Sequence, residues 1–157
     1  MSLLPSVTQS RIYPMAVDML VRANEVAERL KDQNPVPVET WHDLHGGMYA
    51  RTMLIPAGVV IVGALVKVPT TLILDGDVSF NAGGDELEAK RLTGRHILLA
   101  SAGRKQVFAA YADTMLTMVF ATHAKTVADA EAEFTDEAHL LLSRQGEAIN
   151  HYQITGE

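Results

Sequence analysis

The chain has 157 residues, 48% of them apolar, with a formal net charge of −6 and no cysteine. This length suits one domain with a sizeable core, and the apolar content argues against disorder. The acidic balance disfavours nucleic acid as a partner, since duplex binding needs clustered Lys and Arg. Without cysteine there is no disulfide, no thiolate metal site and no cysteine nucleophile.

Membrane insertion and export are also disfavoured. No apolar run reaches the roughly 18–20 residues of a membrane span. The apolar patch of the N-terminal MSLLPSVTQSR is too short for a signal peptide, and no positively charged region precedes it. The sequence therefore predicts a soluble protein, with no membrane partner, that stays in the compartment where it is made.

An amphipathic helix is predicted from Pro14 to about Gln33. Apolar residues recur there at steps of three and four, and charged residues occupy much of the remaining surface. Pro14 suits the first turn of a helix, and NPVPV would end it. The apolar positions are Met15, Met19, Leu20, Ala23, Val26, Ala27 and Leu30.

The middle of the chain, from about Tyr49 to Thr122, has the pattern of short strands separated by turns, which predicts an antiparallel sandwich or barrel. VVIVGALVKVPTTLIL, residues 59–74, is apolar at nearly every position, so we predict a strand covered on both faces. Asp75-Gly76 is a strong hairpin signal, and NAGGDE predicts a further turn. A hairpin at Gly76 requires a positive φ, so Gly76→Val is expected to destabilise the fold by about 1 kcal/mol or more.

A helical C-terminal segment is predicted from Thr126 to about Gln145. Thr126 with Asp129 three residues later is a partial capping box, and Thr135 followed by two acids repeats the signal. The tail INHYQITGE is either a short strand or an extended arm. We divide this single domain (1–157) into an N-terminal helical arm (1–40), a β core (41–123), and a C-terminal helix with its tail (124–157).

Two histidines, His42 and His45, stand just before the glycine pair of HDLHGG. On a strand they would point to opposite faces because their separation is odd, and the glycines argue against a helix. A catalytic zinc needs a third protein ligand, and no histidine of the chain lies in an HExxH or HxH motif. Both are therefore interpreted as structural or surface residues.

Three further polar residues have ordinary interpretations. His139, among leucines, is interpreted as a satisfied interface histidine. Arg104 and Lys105 follow the turn signal SAG and are interpreted as exposed, solubilising residues, with a local anion site as the alternative.

The order of these segments resembles the cupin double-stranded β-helix. YARTMLIPAGVVIVGALVK, RLTGRHILLASAGRKQ and EFTDEAHLLLSR look like segments of small cupin-like proteins encoded by tailed phages and prophages. The resemblance covers about residues 41–144. It implies a mainly β fold, an antiparallel double-stranded β-helix flanked by the N- and C-terminal helices, with Gly76 and Gly103 in turns.

The same resemblance points to missing metal ligands. Cupin enzymes hold a metal with two histidines two residues apart, a carboxylate and a later histidine, because a spacing of two places the first pair on one strand face. The corresponding strand, residues 63–74, contains no His, Asp or Glu, and Gln106 stands where the later histidine belongs. Ligands would be expected at Ala64, Val66, Val68 and Thr70.

The predicted function is that of a non-catalytic, homo-oligomeric structural or assembly component of a phage virion, without a cofactor. It would be made in the cytoplasm of the bacterial host, with copies of itself and other virion proteins as partners. The predicted oligomer interface comprises Leu65, Val66, Leu140 and Leu141. The alternative is a metal- or small-molecule-binding cupin whose displaced site is built from His42, His45, His96 and His123.

Overall fold

The structure is a computed structural model that describes residues 11–31, 33, 36–81 and 89–157. These ranges contain nine strands, two α-helices and two 3-10 turns. The strands are β1 (Arg11–Ile12), β2 (Glu39–His45), β3 (Met48–Ile55), β4 (Val60–Val62), β5 (Thr70–Asn81), β6 (Ala89–Ala100), β7 (Val107–Ala110), β8 (Thr114–Ala121) and β9 (Ile149–Ile154). The helices are α1 (Val17–Leu30) and α2 (Val127–Phe134), and the 3-10 turns are Ala138–Leu140 and Leu142–Arg144.

Seven strands form a continuous sheet in the order β1-β6-β5-β8-β3-β2-β9. Neighbours along it are antiparallel except at its two edges, where β1 pairs parallel with β6 and β9 pairs parallel with β2. The end of β5 also pairs with β7, which in turn pairs with β4. The predicted class, a mainly β, antiparallel fold of the double-stranded β-helix type with flanking helices, is confirmed.

The two sides of the long sheet differ in burial because successive residues of a strand point to opposite faces. One side, the inner face, holds the core and contacts α2, where the rings of Phe120 and Phe134 lie 6.0 Å apart. The other side, the outer face, carries the alternate residues of β2, β3, β5, β6 and β8. Its middle row runs through Ile97, Ile73, Thr117, Thr52 and Trp41.

The prediction of one apolar strand over residues 59–74 is wrong. β4 ends at Val62, β5 begins only at Thr70, and the segment between them leaves the ladder. Gly63 and Pro69 flank this segment, and neither favours a strand interior. Its backbone bonds elsewhere instead: Val66 N–H donates to the Arg104 carbonyl, and Lys67 N–H to the Phe134 carbonyl.

Gly76 is not in a hairpin turn, so that prediction is also wrong. It lies inside β5, directly opposite Gly94 of β6, with a φ of 155°. The close neighbour that needs a glycine here is Thr114. Gly103, in contrast, does lie in a turn, with a φ of 83°. The predicted turn at NAGGDE lies almost wholly outside the described residues.

Both predicted helices exist with shorter bounds. α1 begins at Val17, so Pro14 precedes the helix and does not lie in its first turn as predicted. The helix buries Met19 and Ala23. The Thr126 cap is confirmed, since its hydroxyl accepts a hydrogen bond from the Asp129 N–H at 3.2 Å. α2 stops at Phe134, however, and the prediction of a second capped helix at Thr135 is wrong: only 3-10 turns follow.

Of the two alternatives predicted for the tail INHYQITGE, the short strand is confirmed as β9.

Within the described part of the chain, no helix combines the length and the apolar content that crossing a bilayer requires.

Candidate functional site

A row of side chains crosses the inner face at the level of His42. From β9 to β6 the row runs through Tyr152, His42, Arg51, Met118, Leu72 and Leu98. Two of its members are buried and polar, His42 at 1% exposure and Arg51 at 6%. These two side chains are the starting point for the candidate site, because a buried charged or titratable group needs a specific partner.

His42 is held at both ring nitrogens. Its Nδ1 lies 2.7 Å from the Tyr49 hydroxyl, and its Nε2 lies 2.7 Å from Oδ1 of Asn150. The Asn150 amide nitrogen donates to the Ser143 carbonyl, which fixes its oxygen towards His42. Because an amide oxygen only accepts, Nε2 carries the ring proton and Nδ1 accepts from Tyr49. The ring also stacks on Tyr152, with centroids 4.8 Å apart.

Burial sets the protonation states of this pair. Burial, with a smaller contribution from the nearby Arg51 charge, lowers the pKa of His42, although the hydrogen bond that His42 donates to Asn150 acts in the opposite direction. Burial raises the pKa of the Tyr49 hydroxyl to about 12. Both groups are therefore neutral at physiological pH, which suits a core position.

A buried ion pair lies beside His42 and joins the sheet to α2. Arg51 donates to Glu131 at 2.9 Å, to the Ser143 hydroxyl at 2.7 Å and to the Tyr49 hydroxyl at 3.4 Å. The other oxygen of Glu131 accepts two bonds from Arg144, the shorter at 2.7 Å. Glu131 is 4% exposed, and each of its two carboxylate oxygens accepts a hydrogen bond from an arginine.

Arg104 and Lys105 are buried, so the prediction that they are exposed is wrong. Arg104 points inward and donates to the Ser101 carbonyl and the Thr70 hydroxyl. Burial lowers the pKa of Arg104 to about 10. Lys105 pairs with Glu137 at 3.1 Å. Although burial by itself raises the pKa of Glu137, the bonds from the Leu65 N–H and from Lys105 lower it overall.

The four histidines of the alternative metal site are not brought together. His42 and His45 are both on β2 and differ in burial, as their odd spacing predicted: His45 is exposed and bonds Thr155. His96, on β6, bonds the Thr93 carbonyl, and His123 is exposed after β8. Within the described ranges, no three His, Asp or Glu side chains are grouped so that they would hold a metal ion.

The positions that correspond to cupin metal ligands have other roles. Ala64, Val66 and Val68 pack against the core from the segment between β4 and β5. The Thr70 hydroxyl accepts from Arg104, and the Gln106 amide donates to the Asn81 carbonyl at 3.1 Å. These side chains offer a metal neither imidazole nor carboxylate.

The sequence interpretation missed the Arg51–Glu131 pair. The strand that contains Arg51 and the helix that contains Glu131 each carried one sequence signal of this pair. In MYARTMLI the alternation places Arg51 on the side of Tyr49, and in VADAEAEF helical spacing places Glu131 with Val127 and Phe134. A charged residue at an apolar position of each element indicates a buried partner.

A pH effect on stability follows from His42. Its pKa is lowered from 6.5, so on acidification the unfolded chain binds a proton at this residue before the folded chain does. The free energy of unfolding is therefore not reduced by this residue above a pH of about 6.5, and it decreases as the pH falls from there towards the folded-state pKa of His42. We expect the thermal midpoint to fall between about pH 7.5 and about pH 5, and His42→Gln to reduce this slope. Equal slopes in wild type and variant, measured by scanning fluorimetry, would contradict the assignment.

No protein-family model matches the chain, and no curated protein matches it. Among solved structures, similar folds occur in ectoine synthase from P. lautus (17% identity, TM-score 0.47, 71% of this chain and 82% of that one). A cupin superfamily protein from Desulfitobacterium hafniense (12%, 0.42, 58% and 93%) and a cupin-2 domain protein from Shewanella frigidimarina (6%, 0.38, 49% and 72%) are also similar. At these identities the likeness concerns the fold, so the function has to follow from the chain's own residues.

Proposed function

We propose that the protein is a non-catalytic, homo-oligomeric structural or assembly component. The observation that supports this most is the filled interior. The buried polar groups of the interior, His42, Arg51 and Glu131, have their polar atoms bonded to one another or to neighbouring side chains, and the positions that the sequence resemblance assigns to cupin metal ligands hold no imidazole or carboxylate. A network of this kind specifies how α2 sits on the sheet, which is a structural task.

The outer face supports the oligomeric part of the proposal. Ile97 and Leu99 are 54% and 44% exposed there, and Met48, at the end of β3, is 50% exposed. Ile97 belongs to the uncharged middle row of the face, Leu99 to the row beside it, and Met48 to the row after that. A large apolar face of this kind usually marks a contact with another protein.

The interface residues proposed from the sequence lie on a different surface. Leu140 and Leu65 are 57% and 37% exposed, near the 3-10 turns. Val66 packs against the core, and Leu141 is buried in the core of its own chain at 6% exposure. An interface at that end would therefore have to use Leu140 and Leu65, so we place the main contact on the outer face instead.

The virion role is the finer part of the proposal, and the sequence resemblance to phage-encoded proteins supports it. Particles purified from a host that carries the gene should contain the chain when analysed by mass spectrometry. Finding it only in the soluble host fraction would overturn the virion role and leave the oligomer in place.

The oligomeric role is tested by sedimentation and native mass at micromolar concentration. We expect the wild type above monomer mass. Ile97→Lys should reduce association by at least about tenfold, because it desolvates a charge in the contact. Leu140→Lys is the matched control, since both side chains are more than half exposed. A monomeric wild type, or one equivalent of transition metal per chain that disappears in His42→Ala, would overturn the proposal.

A further inference from the structure

We infer that a second copy of this chain covers the outer face, related to the first by a two-fold axis parallel to β8, so that Arg95 of each copy meets Glu39 of the other. The inference rests on the proposed oligomeric function and gives that oligomer a defined geometry. Three observations support it: the pattern of charge on the outer face, the order of the strands, and the size of the face.

Charge on the outer face lies away from its middle row. Three rows of five side chains cross β6, β5, β8, β3 and β2. The middle row, from Ile97 to Trp41, has no charge. The flanking rows carry the charged Arg95, Asp75, Glu39 and Asp43, and otherwise have apolar residues and threonine. An uncharged centre with charges around it is the arrangement found in protein interfaces.

The strand order suits a two-fold axis along β8. This strand is the fourth of the seven, with three neighbours on each side. A two-fold axis parallel to it lays β6 of one copy over β2 of the other and β8 over its own counterpart. Ile97 then faces Trp41, and Thr117 faces Thr117. The contact is isologous, which is the arrangement of most homodimers.

The charges distinguish this axis from the alternative. Arg95 on β6 and Glu39 on β2 lie in the same row, through Asp75, Met115 and Leu54. The axis along β8 therefore brings them opposite each other, twice in each dimer. A two-fold axis perpendicular to the strands would instead lay β6 of one copy over β6 of the other. Arg95 would then face the part of β6 that contains Leu99, where no acidic side chain is present to pair with it. Opposite charges across an interface favour the first register and disfavour the second.

The face reaches the size that a specific dimer needs. Five strands about 4.8 Å apart and three rows about 6.8 Å apart give an area on the order of 500 Å² on each copy, or roughly 1,000 Å² for the two together. A specific interface buries at least about 1,000 Å² in total. Two twisted sheets pack face to face when their mean strand directions lie within about 30° of each other, a condition that an axis parallel to β8 satisfies.

Charge reversal tests the geometry. Arg95→Glu places two acids opposite each other in the homodimer, and Glu39→Arg places two arginines there, so each variant alone should dimerise at least about tenfold more weakly at low salt. An equimolar mixture of the two variants should recover wild-type association as a heterodimer, and the double variant R95E/E39R should recover it as a homodimer. All variants are compared at the same pH and ionic strength, because His151 lies 3.3 Å from Glu39 in the same chain.

The outcomes separate this geometry from the proposed function. Lys125→Glu reverses an exposed charge away from the outer face and should associate like the wild type. If the wild type is oligomeric and R95E behaves like K125E, or if the mixture does not recover, the two-fold arrangement is wrong and the oligomer stands. A monomeric wild type would overturn both. Thermal midpoints of all variants, measured in parallel, confirm that each chain is folded.

Discussion

Replacing Gly76 with alanine is expected to lower the free energy of unfolding by about 2–4 kcal/mol. A Cβ atom built at this position would lie 2.7 Å from the Thr114 Cα, with the Thr114 hydroxyl closer still. No side-chain rotation relieves a contact with backbone, so β5 and β8 have to separate. The φ of 155° adds strain for any residue with a side chain. Urea denaturation of wild type and variant gives the difference.

Two other glycines separate the effect of the clash from that of the backbone. Gly94 has a φ of 86° but open space around its missing side chain, so Gly94→Ala should cost only about 1 kcal/mol. Gly63 has no such φ, and its Cβ would make an ordinary contact at 3.6 Å, so Gly63→Ala should change stability by about 0.5 kcal/mol or less. If Gly76→Ala costs no more than Gly94→Ala, the close packing against Thr114 is not the reason for the glycine.

Removing the Arg51 charge is expected to cost about 3–5 kcal/mol, because Arg51→Met leaves Glu131 buried without its sheet partner. The two side chains are 6% and 5% exposed and bond at 2.9 Å. Arg144 also binds Glu131, at 2.7 Å, but its side chain is 38% exposed. Arg144→Met is therefore the matched control and should cost about 1 kcal/mol or less.

A double replacement completes the test. Arg51→Met together with Glu131→Leu removes both charges and should recover much of the loss, since apolar residues of similar volume replace a buried pair at little cost. Chemical denaturation of the two single variants and the double variant forms a double-mutant cycle. Additive losses would show that Arg51 and Glu131 stabilise the fold independently of each other.

The sequence by itself determined the features that depend on neighbours along the chain. The two-residue period of strands predicted the mainly β fold and placed His42 and His45 on opposite faces of β2. The Thr126 hydroxyl and the Asp129 N–H are three residues apart, so the cap followed from local geometry. Amphipathic spacing likewise predicted α1, with its ends displaced by a few residues.

Only the tertiary structure decided which distant residues meet. Arg51 and Glu131 are separated by 80 positions, and Arg104 contacts Thr70, 34 positions away. The glycine after Asp75 is a hairpin signal in isolation, yet long-range pairing with β6 and β8 keeps β5 extended through it. Burial and strand partners arise from contacts across the whole sheet, and these contacts override the preferences of a few adjacent residues.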